Sequence, residues 1–599
     1  MRDGVFHKRM AASFGASVVA LSGLPAIVHA QATPAPPPPP PPPVGSEPTR
    51  EQVTPQTFTT PIKPHKRVDS SDVADLAPCP LNTSNLHVTI SSVNFTGPGN
   101  APLAPQIQKT LAGVGPTVSG DAPIREVCQI RDRANSALRQ AGYIASVQIV
   151  PQDMSSGVLQ LTVVTAHFSD IRVHGDPGPY RKLMDDRIAQ LMALDPLNEL
   201  DAERILLITG DVPGLDVKLS LRSAGTTPGA VIGDLTVAHI PYRVQVNVNS
   251  LGSEQIGRDS AYARLELYGL TGHSDVTYLG VSDTFQSKEQ QVVQIGHTMG
   301  IGKKGATIGA SYIFARSRPD LAGIDLRTDS SIGNIEYYRP LIRTVSRDLL
   351  FYGGLDIVEQ KTQVFGSGKR VPLNLDKIRV GYIKLSAAMH NPGLGGDGFV
   401  FRGDVEVRKG FDILGASQPG NRYLSRLDAD PSATVLRANA DASLGLGSIF
   451  SVAGVLRTQW TNKELLNYEQ FAVGNLTIGR GYDPGANTAD SAVAWRAELR
   501  GEFARASAMK GEGFIFYDSA HIWRNVKAPA TGPKIPDPEN DRTLASYGAG
   551  VRFILPGRWV AEITYAKPLD KALKALTIQD GPPPPRIMFS ITTQFPSSY

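Results

Sequence analysis

Arg586-Ile587-Met588-Phe589-Ser590-Ile591-Thr592-Thr593-Gln594-Phe595 ends four residues short of the C-terminus. Ile587, Phe589, Ile591, Thr593 and Phe595 interleave with Arg586, Met588, Ser590, Thr592 and Gln594. A period of two is the signature of a strand with unlike faces. The pattern recurs upstream. Val244, Val246 and Val248 alternate with Arg243, Gln245 and Asn247, and Trp559, Ala561, Ile563 and Tyr565 alternate with Val560, Glu562 and Thr564. One face is apolar or aromatic and the other mostly polar, which suits lipid outside and water inside a barrel. A soluble β-sandwich or lectin would alternate in the same way. Against it, about 355 residues from Tyr242 onward read as strand and turn with no helical segment. At roughly 22 residues per strand and turn, they supply about sixteen strands, an even number as bacterial barrels require.

The other end of the chain agrees. Arg2, Lys8 and Arg9 precede an apolar stretch from Ala11 to Ile27, and Val28-His29-Ala30 resembles a small-residue cleavage site. This reads as a signal peptide over residues 1–30. An uncleaved anchor is the alternative, opposed by Pro25, the glycine breaks and the lack of a stop-transfer pattern. No other run is long and apolar enough for a membrane helix, so the membrane can be spanned only by a closed barrel. Residues 31–76 read as a Pro-rich periplasmic linker, with Pro36 to Pro43 an unbroken polyproline run. Net charge is +4 and charged residues are 19%, which excludes a nucleic-acid footprint. The only cysteines are Cys79 and Cys128. In an oxidising compartment they could close a ~50-residue loop, worth roughly 3–4 kcal/mol; two buried free thiols are the other reading.

Between linker and barrel lie two tandem β-α-α-β-β units. In residues 77–166, Leu86 to Ile90 and Val93 to Phe95 alternate as strands. Pro123 to Gln140 is predicted helical, with Val127, Ile130, Ala134 and Leu138 on one face, Pro123 in its first turn and Gly142 past its end. Strands Ile144 to Val150 and Val158 to Val164 follow. In residues 167–240 the plan repeats: strand Phe168 to Val173, helices Arg181 to Leu194 and Asp201 to Ile208, then strands Val217 to Arg222 and Gly233 to Ala238. Asp201 is a fair N-cap for the second helix.

Within the barrel region, residues 241–599, two short motifs stand apart. Gly479-Arg480-Gly481-Tyr482 follows Asn467-Tyr468-Glu469-Gln470-Phe471, and Phe516-Tyr517-Asp518-Ser519-Ala520 comes about forty residues later. A lone arginine in a loop and a lone aspartate in a strand predict one buried ion pair, Arg480 with Asp518, that pins the loop inside the lumen. Gly481 would allow a tight turn and Tyr482 would pack against the wall. The pair could be a conformational latch or a static brace. Such an arrangement suits a barrel that moves polypeptides rather than small solutes; a porin with soluble appendages would not need it.

These residues resemble a known family. From about Pro78 to the end, the chain is similar to the TpsB outer-membrane transporters of two-partner secretion, the ShlB/FhaC/HecB haemolysin activation/secretion proteins. Ala141-Gly142-Tyr143-Ile144, Val150-Pro151-Gln152-Asp153 and Ser156-Gly157-Val158-Leu159-Gln160-Leu161 resemble the family's first POTRA domain. Tyr338-Arg339-Pro340-Leu341-Ile342-Arg343 resembles its Pro-Leu-Ile-Arg strand. Glu469 to Tyr482 resembles the loop after its eleventh strand, and Phe516-Tyr517-Asp518 the strand motif that receives the loop arginine. The resemblance implies POTRA domains at 77–166 and 167–240 in the periplasm, and a monomeric barrel in the bacterial outer membrane. It also implies a C-terminal strand carrying Phe589 and Phe595 that the barrel assembly machinery reads. The partners implied are outer-membrane lipid and a TpsA-type secreted exoprotein held by the POTRA domains and exported unfolded without ATP.

The sequence departs from the family at two places: Gly479 stands where a β-branched residue is usual, loosening the loop tip, and Ala520 where glycine is usual. Family members also carry a barrel-plugging helix ahead of the first POTRA domain; Pro55, Pro61 and Pro64 argue against a regular helix over Glu51 to Leu76. An assembly factor of the same superfamily is the alternative function, although such proteins usually carry more POTRA units. Enzymatic readings fail: there is no Gly-x-Ser-x-Gly, no His-Glu-x-x-His, no Walker-type loop and no metal or cofactor cluster. Gly393-Leu394-Gly395-Gly396-Asp397-Gly398 fits a dinucleotide template but opens no helix. Arg343 and Arg347 are candidates for lumen-facing selectivity charges.

Overall fold

The computed structural model describes residues 47–596 except 55–65, 75–77, 118–119, 226, 286–288, 322–323, 367, 395–397, 507–508, 526–540, 556–558, 575–576 and 579–580. The signal-peptide reading, the Pro36 to Pro43 run and the middle of the Gly393 to Gly398 template lie outside the described residues.

Sixteen strands close into an antiparallel barrel. They are β1 Tyr242–Asn249, β2 Ser260–Tyr268, β3 Val276–Thr284, β4 Gln290–Ile301, β5 Ala306–Ser317, β6 Ile324–Arg343, β7 Arg347–Gly366 and β8 Lys369–Asn391. The second half comprises β9 Phe399–Gly410, β10 Thr434–Leu446, β11 Phe450–Trp460, β12 Ser491–Ala506, β13 Met509–Trp523, β14 Asp541–Leu555, β15 Trp559–Pro568 and β16 Arg586–Phe595. A two-residue spur, Asp320–Leu321, decorates the β5–β6 hairpin. Closure is by β1 against β16, from Val244 opposite Phe595 to Asn249 opposite Ser590. The alternation is what makes closure possible, because every strand must offer one face to each medium. Ile587, Ile591 and Phe595 face outward, while Met588, Thr592 and Gln594 are buried. Pro340 lies near the end of β6, where the β6–β7 register shifts between Pro340 and Ile342. Proline cannot donate to the ladder, so the bulge falls where the backbone bond is missing.

Both tandem units form a small sheet backed by two helices. The first has strand order Ser92–Thr96, Val158–Thr165, Ala145–Ile149, and its core comprises Ile90, Ile107, Ile130, Leu138, Leu159 and Leu161. Its first helix, Pro105–Leu111, has proline in its first turn and went unread in the sequence. The second helix begins at Arg125, and Pro123 ends a short strand opposite His87 instead of opening the helix. Cys79 and Cys128 are disulfide-bonded, with Cα atoms 5.9 Å apart, tying the unit's entry to this helix.

In the second unit the helix starts at Glu199, and its cap is Asn198 rather than Asp201. The Asn198 side chain accepts from the Leu200 N–H at 2.9 Å and donates to the Ala141 carbonyl, also at 2.9 Å. The asparagine thereby both caps the helix and joins the two units.

Two parts of the segment read as linker are built into the structure. Val68–Asp69 adds a parallel strand to the edge of the second unit's sheet, beside Leu215–Ser223. Glu203 accepts the Arg67 and Val68 N–H groups there at 2.7 and 2.8 Å. Residues 47–54 lie inside the barrel.

Candidate functional site in the barrel lumen

The connection between β11 and β12 turns inward instead of leaving the barrel. Of its side chains, Leu465, Leu466, Tyr468, Ala472, Val473, Ile478, Tyr482 and Asp490 are buried. Phe471–Val473 and Asn487–Ala489 pair as a short antiparallel stem, which satisfies backbone groups that a lumen would otherwise leave dry.

The base of the loop is fixed by Glu469. Its carboxylate lies 2.9 Å from Arg408 of β9 and 2.9 Å from Arg437 of β10. Arg408 also reaches Asp356 of β7 at 2.8 Å and Glu406 at 3.1 Å. All five side chains are mostly or wholly withdrawn from water, so each charge is compensated within a network rather than by one partner. On the opposite strand of the stem, Asp490 pairs with Arg426 at 2.7 Å and accepts the Leu465 N–H at 2.9 Å.

The tip joins the two motifs, but not through the predicted guanidinium–carboxylate pair. Asp518 of β13 is fully buried and accepts the backbone N–H of Arg480 at 2.9 Å and the Ser546 hydroxyl. The Arg480 guanidinium turns to β12, 2.7 Å from Glu498, and stands over Phe516 and Phe514 with ring centroids 4.7 and 5.2 Å away. The nearest cation to Asp518 is Arg496 of β12, with Nε 3.6 Å away. The sequence missed Arg496 and Glu498, although both carried a signal. Arg496, Glu498 and Arg500 are two residues apart and alternate with Trp495, Ala497 and Leu499, which places all three charges on one face of a strand.

The glycines exchange roles relative to expectation. Gly479 has φ +113, so the turn depends on Gly479, and the tip is tight rather than loosened. Gly481 is needed for closeness: an added Cβ would sit 2.8 Å from the Pro568 nitrogen and the Ser546 Cβ. Its N–H donates to the Ser546 hydroxyl at 3.0 Å. Tyr482 is fully buried, and its hydroxyl meets the Ala545 carbonyl at 2.9 Å and the Asp570 carbonyl at 3.1 Å. Ala520 is also fully buried in the cluster around Tyr482 and Ile522. Beyond the motif, Asp483 pairs with Arg258 at 2.9 Å and with Arg586 of β16. The loop thus runs from β9 and β10 to the β1–β16 closure. Phe589 and Phe595 are on β16 itself.

The N-terminal segment shares the lumen. Arg50–Val53 is a single helical turn with a capping box: the Thr49 hydroxyl accepts from the Gln52 N–H, and the Gln52 side chain accepts from the Thr49 N–H. Thr54 is extended, as a residue before proline must be, so Pro55 stops the helix after one turn. Glu47 accepts hydrogen bonds from Thr362 at 2.9 Å and from Asn374 and Asn467. The Gln360 amide donates to the Pro48 carbonyl at 3.2 Å. Val53 is fully buried against Val358, Ile378, Leu466 and Tyr468. A short plug is therefore present where the prolines argued against a longer one.

Arg343 is not a lumen charge. It sits at the end of β6 and holds Asp211 of the second tandem unit at 2.7 and 2.8 Å, with Asp348 at 2.9 Å. It clamps the barrel to the periplasmic domains.

Known proteins share this fold. Residues 235–553 match the haemolysin secretion/activation protein ShlB/FhaC/HecB family, and residues 88–165 match the ShlB-type POTRA domain. The Heme/hemopexin transporter protein HuxB of Haemophilus influenzae is 20% identical over 466 residues, covering 76% of this chain and 79% of that protein. CdiB from Escherichia coli superposes with a TM-score of 0.66 at 17% identity, covering 88% of this chain and 94% of that one. CdiB from Acinetobacter baumannii gives 0.57 at 15% identity, covering 91% and 95%. With its family match spanning more than half the sequence, this chain belongs to the ShlB/FhaC/HecB haemolysin secretion/activation family, the TpsB-type outer-membrane transporters of secreted proteins, with its POTRA domains in the periplasm.

Proposed function

We propose that this protein exports one dedicated exoprotein, recognised unfolded by the POTRA units and passed through the barrel without ATP, and that the lumen loop is the gate. The observation that carries this reading is the loop itself. It crosses the lumen from Glu469 to Asp483 and is tied to the wall at both ends. A static brace would need only one such tie. A path for a polypeptide needs a loop that can be released, and the tip is held less closely than the base: Arg480 has Glu498 at 2.7 Å but Glu562 only at 4.0 Å, whereas both cations of Glu469 lie at 2.9 Å.

The client would be held by β-augmentation, in which main-chain hydrogen bonds tolerate varied side chains. The Leu215–Ser223 edge carries the chain's own Val68–Asp69, so a client would compete with that strand or use the outer edges at Ala145–Ile149 and His167–Gly175. Export is then drawn forward by folding of the client outside the cell.

The test is a deletion strain compared with its parent, by culture-medium proteome and outer-membrane profile. Loss of one large secreted polypeptide with other barrels unchanged is the expected result and identifies the client. A general fall in barrel proteins with an unchanged medium would overturn the proposal in favour of an assembly factor.

A further inference from the structure

Where the second POTRA unit meets the barrel, five cations surround one pocket of about 360 Å³. Arg187 and Arg204 come from the unit's two helices, Lys303 and Lys304 from the β4–β5 turn, and Arg339 from β6. No carboxylate lines the pocket among the described residues. Of the five, Lys303 alone makes an ion pair among the described residues, with Asp186 at 2.7 Å.

Arg187 is 3% exposed. Its Nη1 donates to the Lys303 carbonyl at 2.6 Å, but its Nε is buried with no hydrogen-bond partner. Burial pulls its guanidinium below the ordinary range, with Asp186 opposing. A buried cation with an unused donor is costly unless an anion completes it. The pocket walls are also fixed. Gly305, at φ +76, brings the turn so close that a Cβ would lie 2.9 Å from Ile208 and 3.2 Å from Pro340.

The pocket's place at the barrel rim bears on the chemistry of the anion. Ile295, Ile308 and Ile335 form the lipid-facing rows of β4, β5 and β6, and all three are exposed. These rows end at the periplasmic rim, where Leu341 is 42% exposed beside Arg339. Cations at the edge of an apolar belt stand at headgroup level. A phospholipid offers a phosphate to the cations and acyl chains to the isoleucines; a free phosphate offers only the first. We propose that this pocket binds the headgroup of an anionic phospholipid of the inner leaflet, bridging the second POTRA unit and the barrel rim.

The test uses the full-length protein in nanodiscs of phosphatidylethanolamine with a minor fraction of phosphatidylglycerol. Lipid retained after detergent extraction is identified by native mass spectrometry. Lys304→Gln and Arg339→Gln are the variants, because neither residue makes an ion pair among the described residues. Each should weaken phosphatidylglycerol retention about fivefold, and the double variant about 25-fold. Normal heat-modifiable mobility on a semi-native gel shows that the barrel is folded. Equal retention of both lipids, or unchanged retention by the folded double variant, overturns the proposal. Complete displacement of phosphatidylglycerol by inorganic phosphate would assign the pocket to free phosphate and also overturn it.

Discussion

Two inserts fill this lumen, and they are held by different physics. The loop between β11 and β12 is fastened by charge. Glu469 meets Arg408 and Arg437, Arg480 meets Glu498, Asp483 meets Arg258, and Asp490 meets Arg426. The N-terminal segment makes no ion pair with the wall among the described residues. Its Arg50 pairs with its own Glu51, its Glu47 accepts only neutral donors, and Val53 supplies the packing. Bonds from neutral donors to one carboxylate, with one valine, strand no wall charge when the segment withdraws, because the donors and the carboxylate can all be rehydrated. Buried ion pairs strand a charge when broken and resist release. The comparison implies that the segment leaves the lumen readily, whereas the loop moves only when something replaces its partners.

The strongest test of that difference is Arg480→Ala. It takes Arg480 from deeply buried Glu498, which keeps Arg500 at 2.6 Å, from Glu562 at 4.0 Å and from the face of Phe516, so several contacts go at once, a loss of roughly 3 kcal/mol at the tip. Secretion should be abolished while a heat-modifiable barrel still reaches the outer membrane, read by immunoblot of medium and membrane. Normal export would break the gate reading. Glu469→Gln should cost less, about 1.5–3 kcal/mol, because Arg408 keeps Asp356 and Glu406. Reduced but measurable secretion is expected, with a modestly lower Tm; a defect as deep as that of Arg480→Ala would show that base and tip release together. Gly479→Val forces a β-branched residue to φ +113 with Val473 Cγ1 3.0 Å from the new Cβ, at about 1–3 kcal/mol. The family's usual residue type should therefore lower the Tm of this protein, and an unchanged Tm would mean that the turn relaxes freely.

The barrel was legible because membrane strands carry their environment in every second residue. Trp559 to Tyr565 shows its two faces without any knowledge of its neighbours. The site was half legible. The motifs revealed that Arg480 and Asp518 approach each other, but not that the approach runs through the Arg480 N–H while the guanidinium crosses to Glu498. Local sequence cannot report which of several carboxylates around a lumen lies nearest, since that depends on strand stagger. Asn198 displaced Asp201 as helix cap for a related reason: its second bond, to Ala141, belongs to the other unit. The prolines forecast where the N-terminal helix must stop, yet one turn ahead of Pro55 sufficed to seat Val53.

The smallest effect tests the weaker insert. Glu47→Gln turns a carboxylate that faces three donors into an amide with one acceptor oxygen and an NH2 that meets the Thr362, Asn374 or Asn467 donor side. At least one bond to the carboxylate is lost, at about 1.5 kcal/mol, which shifts the docked-to-released ratio of the segment by roughly tenfold. The barrel does not depend on that bond, so its Tm should stay within error of wild type and secretion should persist. The change belongs in single-channel traces from planar bilayers, as more frequent or longer open events. If Glu47→Gln leaves the conductance unaltered while Arg480→Ala raises it, the loop alone closes the pore and the N-terminal segment is a passenger in the lumen. If both raise it, closure is shared, and the insert held by ion pairs and the insert held by neutral donors are two barriers in series with unequal heights.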